Sequence, residues 1–244
     1  MKLLIVGIDP GANGGIALID EKGTCIKSQR TPVNKVVKSG KVRNELDAAA
    51  AFGMLRHYQA LATEMDARFV ICIERVLAFF MDGVISSFSL GRNIGIWEGI
   101  ITSLEVPHHS IPPQVWKKAI INKTVPVPKS AVANSKKPVA EGETVSEAKA
   151  ERAIVSKQRT KLAYMRKLLA IEAAKRLFPL ALVGVKKKEL DGIAEALLIA
   201  EWGRRQELGI LKESQPQDID ITSPDVTGTL DINNPAKPEE SDGA

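Results

Sequence analysis

The first twenty residues combine two apolar runs with a glycine-rich turn. The runs are Leu3–Ile8 and residues 16–19, and residues 13–15 between them read Asn-Gly-Gly. This pattern predicts a β-hairpin, because β-branched residues favour strands and the turn residues accept positive φ angles. Asp9 follows the first run, which is typical of a buried central strand. A carboxylate there is costly unless it is paired, hydrogen-bonded or bound to a metal; the alternative is that Asp9 simply begins an Asp-Pro-Gly turn.

The rest of the chain up to residue 211 alternates between strand-like and helix-like hydrophobic periods. Residues 68–73 are a short apolar run that predicts a buried strand, residues 24–30 follow the hairpin as a third strand, and residues 107–112 read as a strand or an extended link. Glu74 follows the apolar run at 68–73 as Asp9 follows the first strand of the chain. Helical periods predict helices at residues 44–66, 83–105, 114–121, 158–178 and 190–202. Asn44 is the expected N-cap of the first helix, and the sequence as a whole predicts an α/β fold.

Two segments differ in composition from this pattern. Residues 122–156 contain three prolines, several Ser and Ala and mixed charge, and they predict a flexible basic insertion in which only residues 146–155 are helical. Residues 212–244 contain four prolines and few large apolar side chains, which predicts a disordered acidic tail. Residues 1–211 are therefore expected to form one domain that carries the insertion.

Membrane insertion and secretion do not fit the sequence. No apolar run approaches the roughly 20 residues that a membrane-spanning helix needs, and the first residues do not read as a signal peptide. Cys25 and Cys72 lack the spacing of a zinc site or of a disulfide framework, which favours a reducing compartment. We expect a cytoplasmic protein.

The net charge of +5 conceals a strong asymmetry along the chain. Residues 212–244 hold two Lys against eight Asp and Glu, a net charge of −6, whereas residues 122–188 hold 16 Lys and Arg against five Glu, a net charge of +11. A basic segment this concentrated indicates a phosphate-rich partner such as nucleic acid. The alternative is a solvated basic helix with no partner.

Four carboxylates stand out by position. Asp9 and Glu74 each end a predicted buried strand, and Asp191 and Glu195 are four residues apart on a predicted helix, so they share one helix face. Like charges at that spacing repel each other unless a cation lies between them. Clustered carboxylates without His or Cys companions favour Mg²⁺, with Mn²⁺ as its usual substitute. An acidic metal cluster beside a basic segment suits the cleavage of a phosphodiester.

Small residues recur every four positions in the helix predicted at residues 83–105. They are Ser87, Gly91, Gly95 and Gly99. Because each helical Gly costs roughly 1 kcal/mol relative to Ala, we expect this stripe to permit the close approach of another element. That element is either the subunit's own sheet or the same helix of a second subunit.

The chain resembles the RuvC-like Holliday junction resolvases, which have the RNase H-like fold, and in particular the phage and bacterial branch of that family. The resemblance is carried by GIDPG and the following GG turn at 7–15, IER at 73–75, SSFSLGRNIGIWEGI at 86–100, PPQVWKK at 112–118, AKRLFP at 174–179 and LDGIAEALLIAEWGRR at 190–205. It implies a mixed five-stranded sheet flanked by helices, a homodimer, and Mg²⁺-dependent paired nicking of four-way DNA junctions. Asp9, Glu74, Asp191 and Glu195 match the metal-binding acids of the family.

Two features depart from the family. Glu195 occupies a position where Asp is usual, which could alter the geometry of the metal site. The insertion at residues 122–156 has no counterpart that can be aligned, so the lysine that contacts the scissile phosphate is left open.

The resulting hypothesis is a crossover junction endodeoxyribonuclease that acts in a bacterial or phage-infected cell. Two cations held by the four acids would activate water, and DNA shape would be recognised through contacts to the backbone. The expected DNA-binding residues are Lys117, Lys118, Lys161, Lys167 and Arg92. Three alternatives are a nuclease of the same fold for other branched DNA or for RNA, a junction-binding protein that does not cleave, and an actin-like ATPase or sugar kinase. The kinase hypothesis requires a second phosphate loop and an adenosine pocket, neither of which the sequence indicates.

Overall fold

The fold is built on a mixed sheet of five strands. The computed structural model describes residues 2–38, 40–76, 83–121 and 145–211. Its strands are β1 (Leu3–Ile8), β2 (Gly15–Asp20), β3 (Cys25–Arg30), β4 (Val33–Lys38), β5 (Lys41–Leu46), β6 (Arg68–Glu74) and β7 (His108–Ile111). The sheet has the order β3-β2-β1-β6-β7. Strand β2 is antiparallel to β1 and β3, whereas β6 is parallel to both β1 and β7.

Helices cover both faces of this sheet. They are α1 (Ala48–Glu64), α2 (Val84–Ser103), α3 (Pro113–Ile121), α4 (Val145–Leu177) and α5 (Leu190–Glu207). Apolar side chains of α1 and α2 pack on one face, and those of α3, α4 and α5 pack on the other. The predicted α/β fold class, a mixed five-stranded sheet flanked by helices, is confirmed.

Side chains alternate along β1, so the odd-numbered residues face α5. Leu3 and Ile5 belong to the core on the α5 side, while the even-numbered residues of β1 belong to the opposite core. A Cβ atom at Gly7 would collide with the carbonyl oxygen of Ala196, so α5 packs directly on the backbone of β1. Asp9 continues the odd-numbered series and therefore emerges on the same side of the sheet as α5.

The prediction for residues 44–66 was wrong at its N-terminal end. Asn44 lies in β5, opposite Lys35 in β4, and the helix begins only at Ala48. The N-cap is Asp47, whose Oδ1 accepts a hydrogen bond from the backbone N–H of Ala50 at 3.0 Å. The hairpin β4–β5 forms because β-branched residues flank a turn in which Gly40 has a φ of +70°.

Helix α4 is longer than the periodicity predicted. It extends over 33 residues and begins at Val145, so the short helix predicted at 146–155 is its first part and not a separate element of the insertion. The rest of the predicted insertion, residues 122–144, and the predicted tail, residues 212–244, lie outside the described residues. Within the described ranges, no helix has the length and apolarity needed to cross a membrane.

Few of the large apolar side chains of α4 face the core. Leu162 is buried, but Met165 is 42% exposed. Ala170, Ala173 and Ala174 provide the fully buried part of the helix. These small side chains let α4 pack closely against α5.

The small-residue stripe of α2 faces away from the sheet. Trp97 and Ile101 bury the opposite side of the helix, whereas Gly91, Gly95 and Gly99 are exposed. A Cβ atom added at any of these three glycines would meet nothing within 4 Å among the described residues. The stripe therefore does not contact the described part of the subunit's own sheet, which was one of the two partners considered.

Candidate functional site

Asp9 is held at the end of β1 by a tight turn. Its backbone N–H donates to the carbonyl oxygen of Gly15 at 3.0 Å, and its Oδ1 accepts a hydrogen bond from the backbone N–H of Gly11 at 3.1 Å. Asp9 therefore begins the turn, which was one of the two alternatives for this residue, and its side chain is half-buried. The turn orients that side chain toward α5.

Close backbone contact brings the start of α5 to this turn. Gly14 and Gly192 form an isolated β-bridge. A Cβ atom at Gly192 would collide with the carbonyl oxygen of Asn13 and with the backbone of Gly14. Glycine at residue 192 thus permits the contact that places Glu195 of α5 beside Asp9.

Glu74 is positioned from the neighbouring strand and from α3. It ends β6, is only 9% exposed, and lies on the same face of the sheet as Val70 and Cys72, whose side chains belong to the core on the α5 side. The buried indole Nε1–H of Trp116 donates a hydrogen bond to its Oε1 at 3.3 Å. Sequence reasoning missed Trp116 as part of the site. The available signal was its place directly before Lys117 in the PPQVWKK motif.

Three of the four predicted acids converge. One carboxylate oxygen from each of Asp9, Glu74 and Glu195 can be chosen so that all three lie within 4.8 Å of one another. The three side chains come from the end of β1, the end of β6 and the first turns of α5. Asp191 is not a member of this group.

Burial and mutual repulsion raise the pKa values of two of these three acids. Burial first, and then the negative charges of Glu195 and Glu74, raise the pKa of Asp9 to about 8. Burial likewise raises the pKa of Glu74 to about 7, with the charge of Glu195 as a smaller contribution. A group of this kind binds either protons or another cation, since its charges cannot all stand uncompensated.

Two lysines supply positive charge to the acids. Lys117 Nζ lies 3.3 Å from Glu195 Oε1 and 3.9 Å from Glu74 Oε1, and it stands 4.9 Å from the centre of the Trp116 ring. Lys167 Nζ donates a 2.6 Å hydrogen bond to Asp191 Oδ2, which raises the pKa of that lysine.

The other predicted DNA-binding residues lie outside this centre. Lys118 and Lys161 are exposed on α3 and α4. Arg92, on α2, pairs with Glu45 at the base of the β4–β5 hairpin, with 3.0 Å between Nη1 and Oε2. Their contact with DNA stays a prediction.

The residues present fit a hard divalent cation. They offer carboxylate oxygens, which Mg²⁺ and Mn²⁺ prefer, and the group lacks the thiolate or imidazole ligands that would favour zinc. A bound cation would favour the ionised forms of Asp9 and Glu74, whose pKa values burial raises.

The raised pKa values predict an unusual dependence of stability on pH. Between about pH 4.5 and pH 8 the folded protein retains protons on Asp9 and Glu74 that the unfolded chain releases, so stability falls as the pH rises. We expect the Tm measured in EDTA to decrease over this interval, and Mg²⁺ to raise the Tm more at pH 8 than at pH 5.5. Calorimetry on the wild type and on Asp9→Asn, in which the decrease should be smaller, checks this. Equal pH slopes for both proteins would contradict it.

Comparison with known proteins gives structural neighbours only. No protein-family model matches the chain, and no curated protein matches it either. Among solved structures, Thermus thermophilus RuvC in complex with a Holliday junction substrate is 14% identical, with a TM-score of 0.39 over 84% of this chain and 96% of that chain. A second structure of Thermus thermophilus RuvC is 13% identical, with a TM-score of 0.37 over 85% of this chain and 97% of that one.

Proposed function

We propose that this protein is a metal-dependent endonuclease that resolves four-way DNA junctions by paired symmetric nicks. The observation that carries the proposal is the meeting of Asp9, Glu74 and Glu195, from three separate elements, beside the ammonium group of Lys117. The sequence motifs of the resolvase family agree with this reading. Residues 1–211 would form the nuclease domain with the predicted basic insertion at residues 122–156, and residues 212–244 would form an acidic tail. The protein would act in the cytoplasm of a bacterial or phage-infected cell.

The acids would hold Mg²⁺, with Mn²⁺ as a substitute. Divalent cations bound there supply an activated water and stabilise charge on the attacking and leaving oxygens. Trp116 positions the Glu74 carboxylate through its indole N–H. Asp191 is proposed as the fourth acid, and Lys167 Nζ donates a hydrogen bond to its Oδ2.

The lysines of the site are suited to contact phosphates. Lys117 is 36% exposed in its side chain, so it reaches solvent from a position next to the acids. Lys118, Lys161, Lys167 and Arg92 extend the positive charge away from the centre. Because phosphate contacts carry no base information, we expect recognition of DNA shape more than of sequence.

Paired nicking requires two active sites related by symmetry, and we propose a homodimer. A four-way junction presents two equivalent strands, which a two-fold symmetric dimer would address in the same way. The exposed glycine stripe of α2 is the proposed contact surface, and the 71% exposed Phe88 lies beside it on the same helix.

Cleavage assays on defined substrates test the function. Four-way junctions, three-way junctions, linear duplexes and the corresponding RNA should each be incubated with Mg²⁺, with Mn²⁺ and with EDTA. We expect paired nicks in the four-way junction that depend on the metal. Preferential cleavage of three-way DNA or of RNA would favour the alternative nucleases of this fold, binding without cleavage would favour a junction-binding protein, and nucleotide hydrolysis without nicking would favour the ATPase.

A separate prediction concerns the basic residues of α4. Replacing Lys161 and Lys167 together by Ala should weaken junction binding and make the slope of log Kobs against log salt shallower by roughly one to two. Fluorescence anisotropy over a series of salt concentrations measures this slope.

The matched control replaces Lys2 and Lys22, which lie at the opposite end of the sheet from the acids. Lys2 precedes β1 and donates to the carbonyl oxygen of Met65, and Lys22 lies in the turn that follows β2. Their replacement by Ala should leave the slope unchanged. If Lys161 and Lys167 behave like the control, α4 presents a solvated basic face.

A further inference from the structure

The β4–β5 hairpin projects from the turn that carries Asp9. Thr31, just before β4, is buried; its N–H donates to the carbonyl oxygen of Gly14 at 3.1 Å, and its Oγ1 donates to that of Asp9 at 3.4 Å. Below the tip, Asn44 Nδ2 donates to Asn13 Oδ1 at 3.5 Å. The base of the hairpin is thus attached to the candidate site.

The tip of the hairpin is exposed and apolar on one face. Val37 and Val42 are directly opposite in the antiparallel register, so their side chains share a face. They are 72% and 67% exposed, among the most exposed of the large apolar side chains in the described residues. Most of each valine side chain is therefore accessible to solvent in the described part of the subunit.

The sequence of this hairpin is rich in cations. Residues 33–46 hold Lys35, Lys38, Lys41 and Arg43 against a single acid, Glu45, a net charge of +3. Lys35 lies on the same face as the two valines, and Arg43, which is opposite Val36, lies on the other face. Glu45 pairs with Arg92, which leaves the cationic character of the strands undiminished. An exposed apolar pair on a cationic hairpin complements nucleic acid, because the cations match phosphates and apolar side chains pack on unstacked bases.

We propose that β4–β5 is a DNA-binding element in which Lys35 and Arg43 contact phosphates and the Val37–Val42 pair packs on bases exposed at a branch point. This inference rests on the proposed nuclease function, since the acids fix where the cleaved strand passes. The strand from Thr31 to Val37 spans about 20 Å. At one nucleotide per roughly 3.4 Å, the contacted bases lie within about six nucleotides of the cleaved phosphate.

Two hairpin variants test the proposal. Val37→Thr with Val42→Thr keeps β-branched residues but makes the tip polar, and Lys35→Ala with Arg43→Ala removes two charges. The probe is a four-way junction with 2-aminopurine within six nucleotides of the nick, compared with a linear duplex. We expect the threonine variant to bind the junction about tenfold more weakly and to lose the fluorescence increase that reports unstacking, with duplex binding unchanged. The alanine variant should bind both DNAs more weakly, with a salt slope shallower by about two.

The control is Val183→Thr, an equally exposed valine in the segment between α4 and α5. It should match the wild type in binding, fluorescence and Tm. If both hairpin variants match the wild type on DNA, or if they change only the sedimentation of the protein, the hairpin proposal is overturned while the nuclease proposal stands. If the wild type neither binds nor cleaves branched DNA, both proposals are overturned.

Discussion

Asp9→Asn is expected to abolish cleavage while leaving the fold and DNA binding intact. Asn has nearly the shape of Asp, and its side-chain oxygen can still accept the hydrogen bond from the N–H of Gly11. What is lost is a negative charge in the group with Glu74 and Glu195. Cation-assisted stabilisation of the transition state is worth several kcal/mol, so the nicking rate should fall about 10³-fold or more.

Binding to the junction should stay equal or become tighter, because one anion that faces the phosphates has been removed. Single-turnover nicking and anisotropy on the same junction measure the two effects separately. Asp47→Asn is the matched control: Asp47 caps α1 and is not one of the three grouped acids, and Asn is an equally good N-cap. Nicking by Asp9→Asn at the rate of this control would refute the role assigned to the acids.

The parts of the fold that could be predicted are those with a buried pattern. Strands β1, β2 and β6 are apolar almost throughout because they lie between two layers of helices, and their predicted positions agree with the structure. The β4–β5 hairpin was missed for the opposite reason. Val37 and Val42 stand in solvent, so no buried face imposes an alternation that sequence reasoning could detect.

In the candidate site, too, the positions of residues could be predicted from the sequence but some of their contacts could not. The strand ends and the spacing on α5 predicted which acids could meet, and the structure brings Asp9, Glu74 and Glu195 together. Their spacing could not predict that Asp191 pairs with Lys167, because that contact depends on where α4 packs against α5. The prediction for the glycine stripe was similarly incomplete, since periodicity identifies a helix face but not its partner.

Gly95→Leu is expected to convert the proposed dimer into folded monomers. The position is exposed and a Cβ atom there has free space among the described residues, so the larger side chain does not disturb the subunit itself. In a dimer with closely packed α2 helices, however, the same side chain would force the two backbones apart. Sedimentation should therefore show the monomer mass, and junctions should receive single nicks at uncoordinated times.

Gly53→Leu is the matched control, because Gly53 is also an exposed helical glycine with free space, on α1. Both changes should raise the stability of the isolated subunit slightly, by about 0.5–1 kcal/mol, since Gly is a poor helix former. If Gly95→Leu sediments like Gly53→Leu and nicks both strands together, the subunit contact lies on another surface.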